Sequence, residues 1–192
     1  MVTSQHRSPI DDIYELSPLQ QGMLFHTLHA PQSGLYLEQQ VLAFEGGLQM
    51  AAFAQCWQHL LQRHPVLRTS FHWLGLEKPL QVVHGDARVP VQCTDLSHLS
   101  AEAQGRALEA YLAADRQRGF DLEIAPLMRL QVFDIGRGQS KLVWSFHHML
   151  LDGWSGQIVL SEAAAVEERW QRALMSALGP GFTAGFLVLD NR

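Results

Sequence analysis

Two adjacent histidines, followed by an aspartate and a glycine, are the residues of this chain best suited to chemistry. They lie in the segment Trp144 to Ser155, which reads WSFHHMLLDGWS. A histidine can accept a proton at neutral pH, so it can serve an amine or a hydroxyl as a general base. Asp152 can bond to its own backbone in a turn, and Gly153 lets a main-chain N–H group approach a substrate closely. The pattern predicts the edge of an active site.

The two histidines are expected to differ in role. Residues 141–147 alternate as a strand does, so the side chains of His147 and His148 point to opposite faces. One histidine is then available for chemistry and the other for structure, and the alternation alone does not assign them. A plain turn beside one buried and one exposed histidine stays open as a second interpretation. Zinc binding is disfavoured, because adjacent strand histidines diverge and the cysteines, Cys56 and Cys93, lie far away in sequence.

Composition narrows the class of protein. The chain has 192 residues, of which 47% are hydrophobic and 17% are charged, as expected for a folded domain. The net charge of -5 argues against nucleic acid as a partner, because phosphate binding needs a basic surface. The two cysteines are isolated, which is typical of a protein from a reducing compartment. The sequence contains neither an apolar signal-peptide segment nor an apolar run of membrane-spanning length. These features predict a soluble cytoplasmic protein without a membrane partner.

A β-hairpin is predicted to position the histidines. A strand from Leu127 to Phe133 follows Pro126, the turn sequence DIGRG at 134–138 reverses the chain, and the strand from Lys141 to His147 runs back antiparallel. The strand therefore ends at the two histidines, and the polar turn residues beyond it close the segment.

The remaining elements follow from capping and periodicity. The first helix begins with Ser17 at the N-cap, Pro18 at the first helical position and Gln20 completing a capping box. In the helix predicted at 101–118, the charged residues are interpreted as a solvated face: Arg106, Glu109, Asp115, Arg116 and Arg118. The other predicted elements are helices at 48–64 and 156–178, strands at 35–45, 66–73 and 80–84, a loop at 90–95, and a short apolar strand at 186–189 with no assigned partner.

Three stretches, taken in order, resemble the core motifs of one protein family. They are SPLQQGMLF at 17–25, RHPVLRTSF at 63–71 and HHMLLDGWS at 147–155, and the intervening GFDLEIAPLMR at 119–129 also fits. Together they are similar to condensation domains of nonribosomal peptide synthetases, which are related to chloramphenicol acetyltransferase. The similarity covers roughly residues 10–160.

The resemblance implies a fold and a domain division. The family fold is an α/β (α+β) sandwich of the chloramphenicol acetyltransferase type, with a mixed sheet flanked by helices and the HHxxxDG segment in a crevice between two similar halves. Residues 1–160 are then the N-terminal half, and residues 161–192 form a helix and a divergent tail without a separate domain. The second half is not recognisable in this sequence.

The resemblance also implies an activity. The family joins a carrier-bound aminoacyl or peptidyl thioester to the amino group of a carrier-bound acceptor. His148, the second histidine, is then the catalytic residue that assists the attack of the amine. The N–H group of Gly153 is a candidate donor to the oxyanion of the tetrahedral intermediate.

The resemblance also implies structural roles for other residues of the motifs. His147 supports the fold, and Asp152 pairs with Arg68 to hold the loop. An arginine in a predicted strand needs a carboxylate or solvent, which agrees with that pairing. Trp154 and Ser155 line the substrate channel.

No tightly bound cofactor or metal is implied. The expected partners are carrier proteins, which bring phosphopantetheine arms, and neighbouring synthetase modules. Two alternatives remain open: a CoA-dependent O-acyltransferase of the chloramphenicol acetyltransferase type, and a non-catalytic module that docks carrier proteins. Whether this chain is an enzyme by itself stays undecided, because the family's second half is missing.

Overall fold

The structure is a computed structural model that describes residues 9–30, 33–178 and 186–188. Within these residues the chain forms eight strands and four α-helices. The strands are β1 (Ile10–Glu15), β2 (Leu37–Glu45), β3 (Thr69–His72), β4 (Leu80–His84), β5 (Val91–Asp95), β6 (Met128–Gly136), β7 (Gln139–His147) and β8 (Phe186–Val188). The helices are α1 (Pro18–His29), α2 (Met50–Arg63), α3 (Ala101–Arg118) and α4 (Gly153–Leu178).

The larger sheet carries the histidine segment. Its strand order is β5-β6-β7-β2-β8, in which β5 runs parallel to β6 and the other pairs are antiparallel. Strands β2 and β7 pair along their whole length, from Leu37 opposite His147 to Glu45 opposite Gln139. The structure confirms the predicted hairpin, which β6 and β7 form. It also confirms the mixed sheet that the family resemblance implied.

The smaller sheet has the order β1-β4-β3. Its edge strand β1 is absent from the predicted elements, which begin with the helix capped by Ser17. The strand exists because it pairs antiparallel with β4, from Ile10 opposite His84 to Glu15 opposite Leu80. Such long-range pairing leaves little local signal, since every residue of β1 is exposed.

Two further boundaries differ from the prediction. Residues Pro65–Arg68 form a 3-10 turn, and only Thr69–His72 continue as a strand, because the proline starts a helical turn at the end of α2. The predicted loop at 90–95 contains β5, which pairs in parallel with β6 and is mostly exposed. Its edge position explains the weak hydrophobic pattern.

Aromatic side chains from α2 and β7 form the centre of the main core. Phe53, Trp57 and Leu60 of α2 are buried, and the ring of Trp57 lies 5.1 Å from that of Trp144. The Trp144 ring in turn lies 4.6 Å from Phe146, the residue just before the first histidine. The last residues of β7 are therefore fixed by packing.

The prediction that the charged residues of α3 form a solvated face is wrong for Asp115. This carboxylate is buried at 3% exposure and pairs with Arg129 of β6, which is also buried. The reason is tertiary: α3 packs its Asp115 side against the sheet, where a paired charge is tolerated. Glu109, by contrast, is exposed as predicted.

The short strand β8 pairs antiparallel with the end of β2, from Ala43 opposite Val188 to Glu45 opposite Phe186. This pairing supplies the partner that the sequence did not assign. Residue 189 of the predicted strand lies outside the described residues. None of the helices in the described part of the chain is long and apolar enough to cross a membrane.

Candidate active site

His147 is the last residue of β7 and is buried at 3% exposure. Its backbone N–H donates to the carbonyl of Leu127 at 3.0 Å, and its Nδ1 accepts a hydrogen bond from the N–H of Met149 at 3.3 Å. The ring proton is therefore on Nε2, which is buried without a partner among the described residues. Burial, followed by the neighbouring His148, lowers the pKa of His147 from 6.5 to about 4. His147 is thus neutral at physiological pH.

The lowered pKa of His147 predicts an acid-sensitive fold. In the unfolded chain this imidazole takes up a proton near pH 6.5, whereas in the folded chain it does so only near pH 4. The unfolded state therefore binds more protons between these values, and stability present above pH 6.5 is lost as the pH falls. We expect the free energy of unfolding to drop by about 2 kcal/mol between pH 7 and pH 5 on account of His147.

Urea denaturation of wild type and His147→Gln at pH 7 and pH 5 measures this contribution. The variant is expected to be less stable at pH 7 and to lack the part of the pH dependence that His147 supplies. Exposed His59→Ala is the matched control and should keep the wild-type pH dependence. Equal pH dependence in wild type and His147→Gln would contradict the prediction.

His148 follows the strand and is half-buried. Its backbone N–H donates to the carbonyl of Tyr36 at 2.7 Å, which anchors it to the start of β2. Its Nδ1 lies 2.7 Å from the carbonyl of Leu151, and a carbonyl can only accept, so Nδ1 carries the proton. The lone pair is then on Nε2, which is the state that a general base requires.

Asp152 and Gly153 form the start of α4. The Asp152 carboxylate accepts a hydrogen bond from the N–H of Ser155 at 2.7 Å, as an N-cap residue does. This bond to Ser155 is the main cause that lowers the pKa of Asp152. A Cβ added at Gly153 would meet no atom within 4 Å, so packing among the described residues does not require glycine there. Its N–H group is the first of the helix, where N–H groups have no intrahelical partner.

Trp154 and Ser155 continue the first turn of α4 next to His148. The Trp154 side chain is 84% exposed, and Ile158, one turn further, is 56% exposed. Ser155 is partly buried. An indole with that much exposure presents a large apolar surface at the start of α4, which is the kind of surface that another chain or a ligand covers.

The predicted pair between Asp152 and Arg68 is corrected by the structure. The buried guanidinium of Arg68 forms its ion pair with Asp11 of β1 and also donates to the carbonyl of His84 at 3.0 Å. The inference that this arginine needs a carboxylate holds, but Asp152 is exposed and engaged as a helix cap. The smaller sheet brings Asp11 next to Arg68, and the unrecognised strand β1 is the reason that this partner was missed.

Gln20 is a residue of the site that sequence reasoning assigned only to capping. The capping box is confirmed, since Ser17 accepts from the N–H of Gln20 and Gln20 accepts from the N–H of Ser17. The Gln20 amide also donates to the carbonyl of Met149 at 3.1 Å, directly after the two histidines. The side-chain amide of Gln81 of β4 donates a hydrogen bond to the Gln20 side-chain oxygen at 3.0 Å. The first motif therefore holds the HHxxxDG segment.

A buried polar network supports β7 from behind. The Asp115 carboxylate pairs with Arg129 and accepts hydrogen bonds from Ser145 at 2.6 Å and from Gln39 at 2.8 Å. Burial alone would raise the pKa of Asp115, but the hydrogen bonds from Arg129, Ser145 and Gln39 outweigh it and lower the pKa. Ser145 precedes His147 by two residues on β7, so the network fixes the strand that ends at the site.

The described residues contain no group of three or more histidine, cysteine, aspartate or glutamate side chains that could hold a metal ion. The arrangement instead provides one histidine with an available lone pair, a buried neutral histidine behind it, and the N-terminus of a helix at its side. These groups can accept a proton and stabilise a developing negative charge.

Comparison with known proteins gives consistent matches. The family model described as "Condensation domain" matches residues 10–173. A linear gramicidin synthase protein from Brevibacillus parabrevis is 48% identical over 158 residues, which are 82% of this chain and 2% of that protein. Gramicidin S synthase 2 of Brevibacillus brevis is 37% identical over 153 residues, which are 80% of this chain and 3% of that protein.

Solved structures show the same fold. The starter condensation domain of rhizomide synthetase matches with a TM-score of 0.75 at 23% identity, over 90% of this chain and 42% of that one. A four-domain nonribosomal peptide synthetase bound to AMP and glycine matches with a TM-score of 0.73 at 18% identity, over 85% of this chain and 12% of that one. The chain thus spans less than half of the solved domain and a few per cent of the curated relatives.

Proposed function

This chain belongs to the condensation-domain family of nonribosomal peptide synthetases, and we propose that it supplies the N-terminal half of an amide-forming site. The proposed half comprises residues 1–160, and residues 161–192 form an appended helix and tail. Helix α4 itself runs without a break through residue 160. The reaction joins a carrier-bound aminoacyl or peptidyl thioester to the amino group of a carrier-bound acceptor.

The observation that carries this proposal is the state of His148. Its Nδ1 proton is bound by the carbonyl of Leu151, so the Nε2 lone pair is available at the end of β7. The acceptor amine attacks the thioester carbonyl, a C–N bond forms, and the tetrahedral intermediate then breaks its C–S bond. His148 takes the proton from the attacking nitrogen and returns it to the departing pantetheine thiolate, so the reaction yields an amide and a thiol.

Gly153 is the proposed donor to the oxyanion in this intermediate. Its N–H group lies at the N-terminus of α4, where the helix dipole favours negative charge. The open space around this residue supports close approach of a substrate, because no neighbouring atom would touch a Cβ there. Asp152 contributes by capping the same helix, so that its first turn is held in place.

The other motif residues have supporting roles in the proposal. His147 is a structural residue, neutral and buried beneath His148. Arg68 holds the smaller sheet together through Asp11. Trp154 and Ser155 line the proposed channel, and in this proposal the second half of the domain covers the Trp154 ring, which is exposed in this chain.

Condensation domains of this family work with modules that bear carrier proteins. We therefore infer aminoacyl and peptidyl carrier proteins as partners, with the phosphopantetheine arm belonging to the carrier, and the cytoplasm as the location. No nucleic acid or membrane is part of the proposal.

Completing the domain tests the function. Residues 1–173 are joined to the region of the Brevibacillus parabrevis linear gramicidin synthase that follows its aligned segment. The chimera is mixed with a loaded donor carrier and a loaded acceptor carrier, and intact-protein mass spectrometry follows the acceptor. We expect a mass increase equal to the donor acyl group, which appears only when both carriers are loaded.

Two control arms separate the alternatives. Acetyl-CoA offered with a small alcohol should give no ester, whereas an acyltransferase of the chloramphenicol acetyltransferase type would form one. A folded chimera that binds both carriers but forms no amide, beside a parent domain that does, would contradict the proposal and indicate a docking module.

A further inference from the structure

Tyr36 has an unusual backbone at the entrance to β2. Its φ angle is 64°, in the left-handed region that residues other than glycine rarely occupy. For a bulky side chain this conformation costs about 1–2 kcal/mol. Such strain persists where surrounding contacts compensate for it, and it concentrates at functional sites. The contacts of Tyr36 are therefore informative.

The carbonyl of Tyr36 holds the backbone of His148. It accepts the His148 N–H at 2.7 Å, immediately beyond the last pair of the β2–β7 ladder, Leu37 opposite His147. The ladder thus extends by one hydrogen bond, and the residue that provides the acceptor is the one in the left-handed conformation. The strained backbone coincides with the anchor of the histidine.

The ring of Tyr36 lies beside the imidazole of the same histidine. The two ring centroids are 6.4 Å apart with an interplanar angle of 23°. The Tyr36 ring is also nearly parallel to that of His26 of α1, with the ring centroids 6.3 Å apart and an interplanar angle of 5°. The Tyr36 hydroxyl also bonds to Nδ1 of His26 at 2.9 Å. Helix α1 therefore holds the phenol, and the phenol ring borders His148.

These contacts matter because the imidazole of His148 has a single orienting hydrogen bond of its own among the described residues, from Nδ1 to the carbonyl of Leu151. Rotation of the ring would break that bond and release the proton to either nitrogen. A neighbouring aromatic ring restricts this rotation by occupying the space beside the imidazole.

We infer that Tyr36 is a positioning residue for His148, which holds its backbone through the carbonyl and its imidazole through the phenol ring. The inference deepens the proposed function and rests on it, because the position of Nε2 matters only if that nitrogen handles the proton. Tyr36 itself touches no reacting atom in this proposal.

Nitrogen NMR of the histidine side chains tests the inference on the 192-residue chain. Spectra recorded at alkaline pH report which ring nitrogen carries the proton, and His148→Gln identifies the signals of His148. In wild type we expect the proton on Nδ1. Tyr36→Gly keeps the left-handed backbone but removes the ring, and it should raise the population protonated on Nε2 at least threefold.

Three variants control the comparison. Tyr36→Phe retains the ring but loses the hydroxyl bond to His26, and it should keep the His148 proton mainly on Nδ1. Tyr36→Asn, whose small side chain tolerates the left-handed region, replaces Tyr36→Gly if circular dichroism shows that the glycine variant is unfolded. Tyr111→Ala removes an equal ring from α3, where Tyr111 packs on Phe133, and should leave His148 unchanged.

An unchanged His148 spectrum in the folded variant without the ring would overturn the inference, as would an equal change in Tyr111→Ala. Turnover of the completed chimera with His148→Ala is a separate measurement. If that chimera kept full activity, the proposed role of His148 in proton transfer would fail while the NMR result stood, so the two failures are distinguishable.

Discussion

Replacing His148 with alanine in the completed domain is expected to lower the turnover number by about 10²–10⁴-fold, the usual contribution of a positioned general base. The expectation follows from the Nε2 lone pair, which the bond between Nδ1 and Leu151 leaves available. Binding of the carriers should change little, because the half-buried imidazole presents a small part of the surface. Intact-protein mass spectrometry of the acceptor carrier gives the rate.

Two variants sharpen this measurement. His148→Gln keeps a hydrogen-bonding side chain of similar size but cannot take up a proton, so it should be as slow as His148→Ala. His59→Ala changes an exposed histidine of α2 and should retain the wild-type rate. A loss of less than tenfold in both His148 variants would show that orientation of the amine, and not proton transfer, provides the catalysis.

Replacing Asp115 with alanine is expected to lower the free energy of unfolding by about 3–5 kcal/mol, because it leaves the buried charge of Arg129 without its partner. Asp115 also accepts hydrogen bonds from Ser145 and Gln39, so three buried or half-buried donors lose their acceptor. A loss of this size is a large share of the stability of a domain. Urea denaturation at pH 7 measures it.

The controls for Asp115 lie on the same helix and in the same network. Glu109→Ala removes an exposed carboxylate of α3 and should change stability by less than about 0.5 kcal/mol. The double replacement of Asp115 by Leu and Arg129 by Met removes both charges and should recover most of the loss. If Asp115→Ala were as mild as Glu109→Ala, the buried pair would not support the sheet.

Local signals account for the parts of the fold that were predicted correctly. The Ser17 capping box, the β6–β7 hairpin and helix α2 each depend on residues close together in sequence. Strands β1 and β5 were missed for the opposite reason. They are edge strands with exposed side chains, and each exists only because a distant strand pairs with it.

The residues of the candidate site also fall into two groups, those that the sequence motif identified and those whose contacts depend on distant parts of the chain. The motif at 147–155 located the histidines, and the family resemblance implied different roles for them, which strand alternation alone had left unassigned. The structure adds the difference in burial between His147 and His148. The pairing of Arg68 with Asp11 and the burial of Asp115 depend on tertiary neighbours. A charged residue in a helical pattern looks solvated unless the position of its partner is known. Residue spacing alone therefore could not have predicted the Arg68–Asp11 pair or the burial of Asp115.

The bond between Tyr36 and His148 also has a consequence for the order of folding. The β6–β7 hairpin closes a short turn, whereas Tyr36 and His148 are more than a hundred residues apart in the chain. Long-range pairing has a larger loop-closure entropy cost, so we expect the β2–β7 ladder to form after the hairpin. A nascent or partly folded chain would then contain the histidines on a formed hairpin before His148 is anchored, and the proposed site would be complete only when the sheet is.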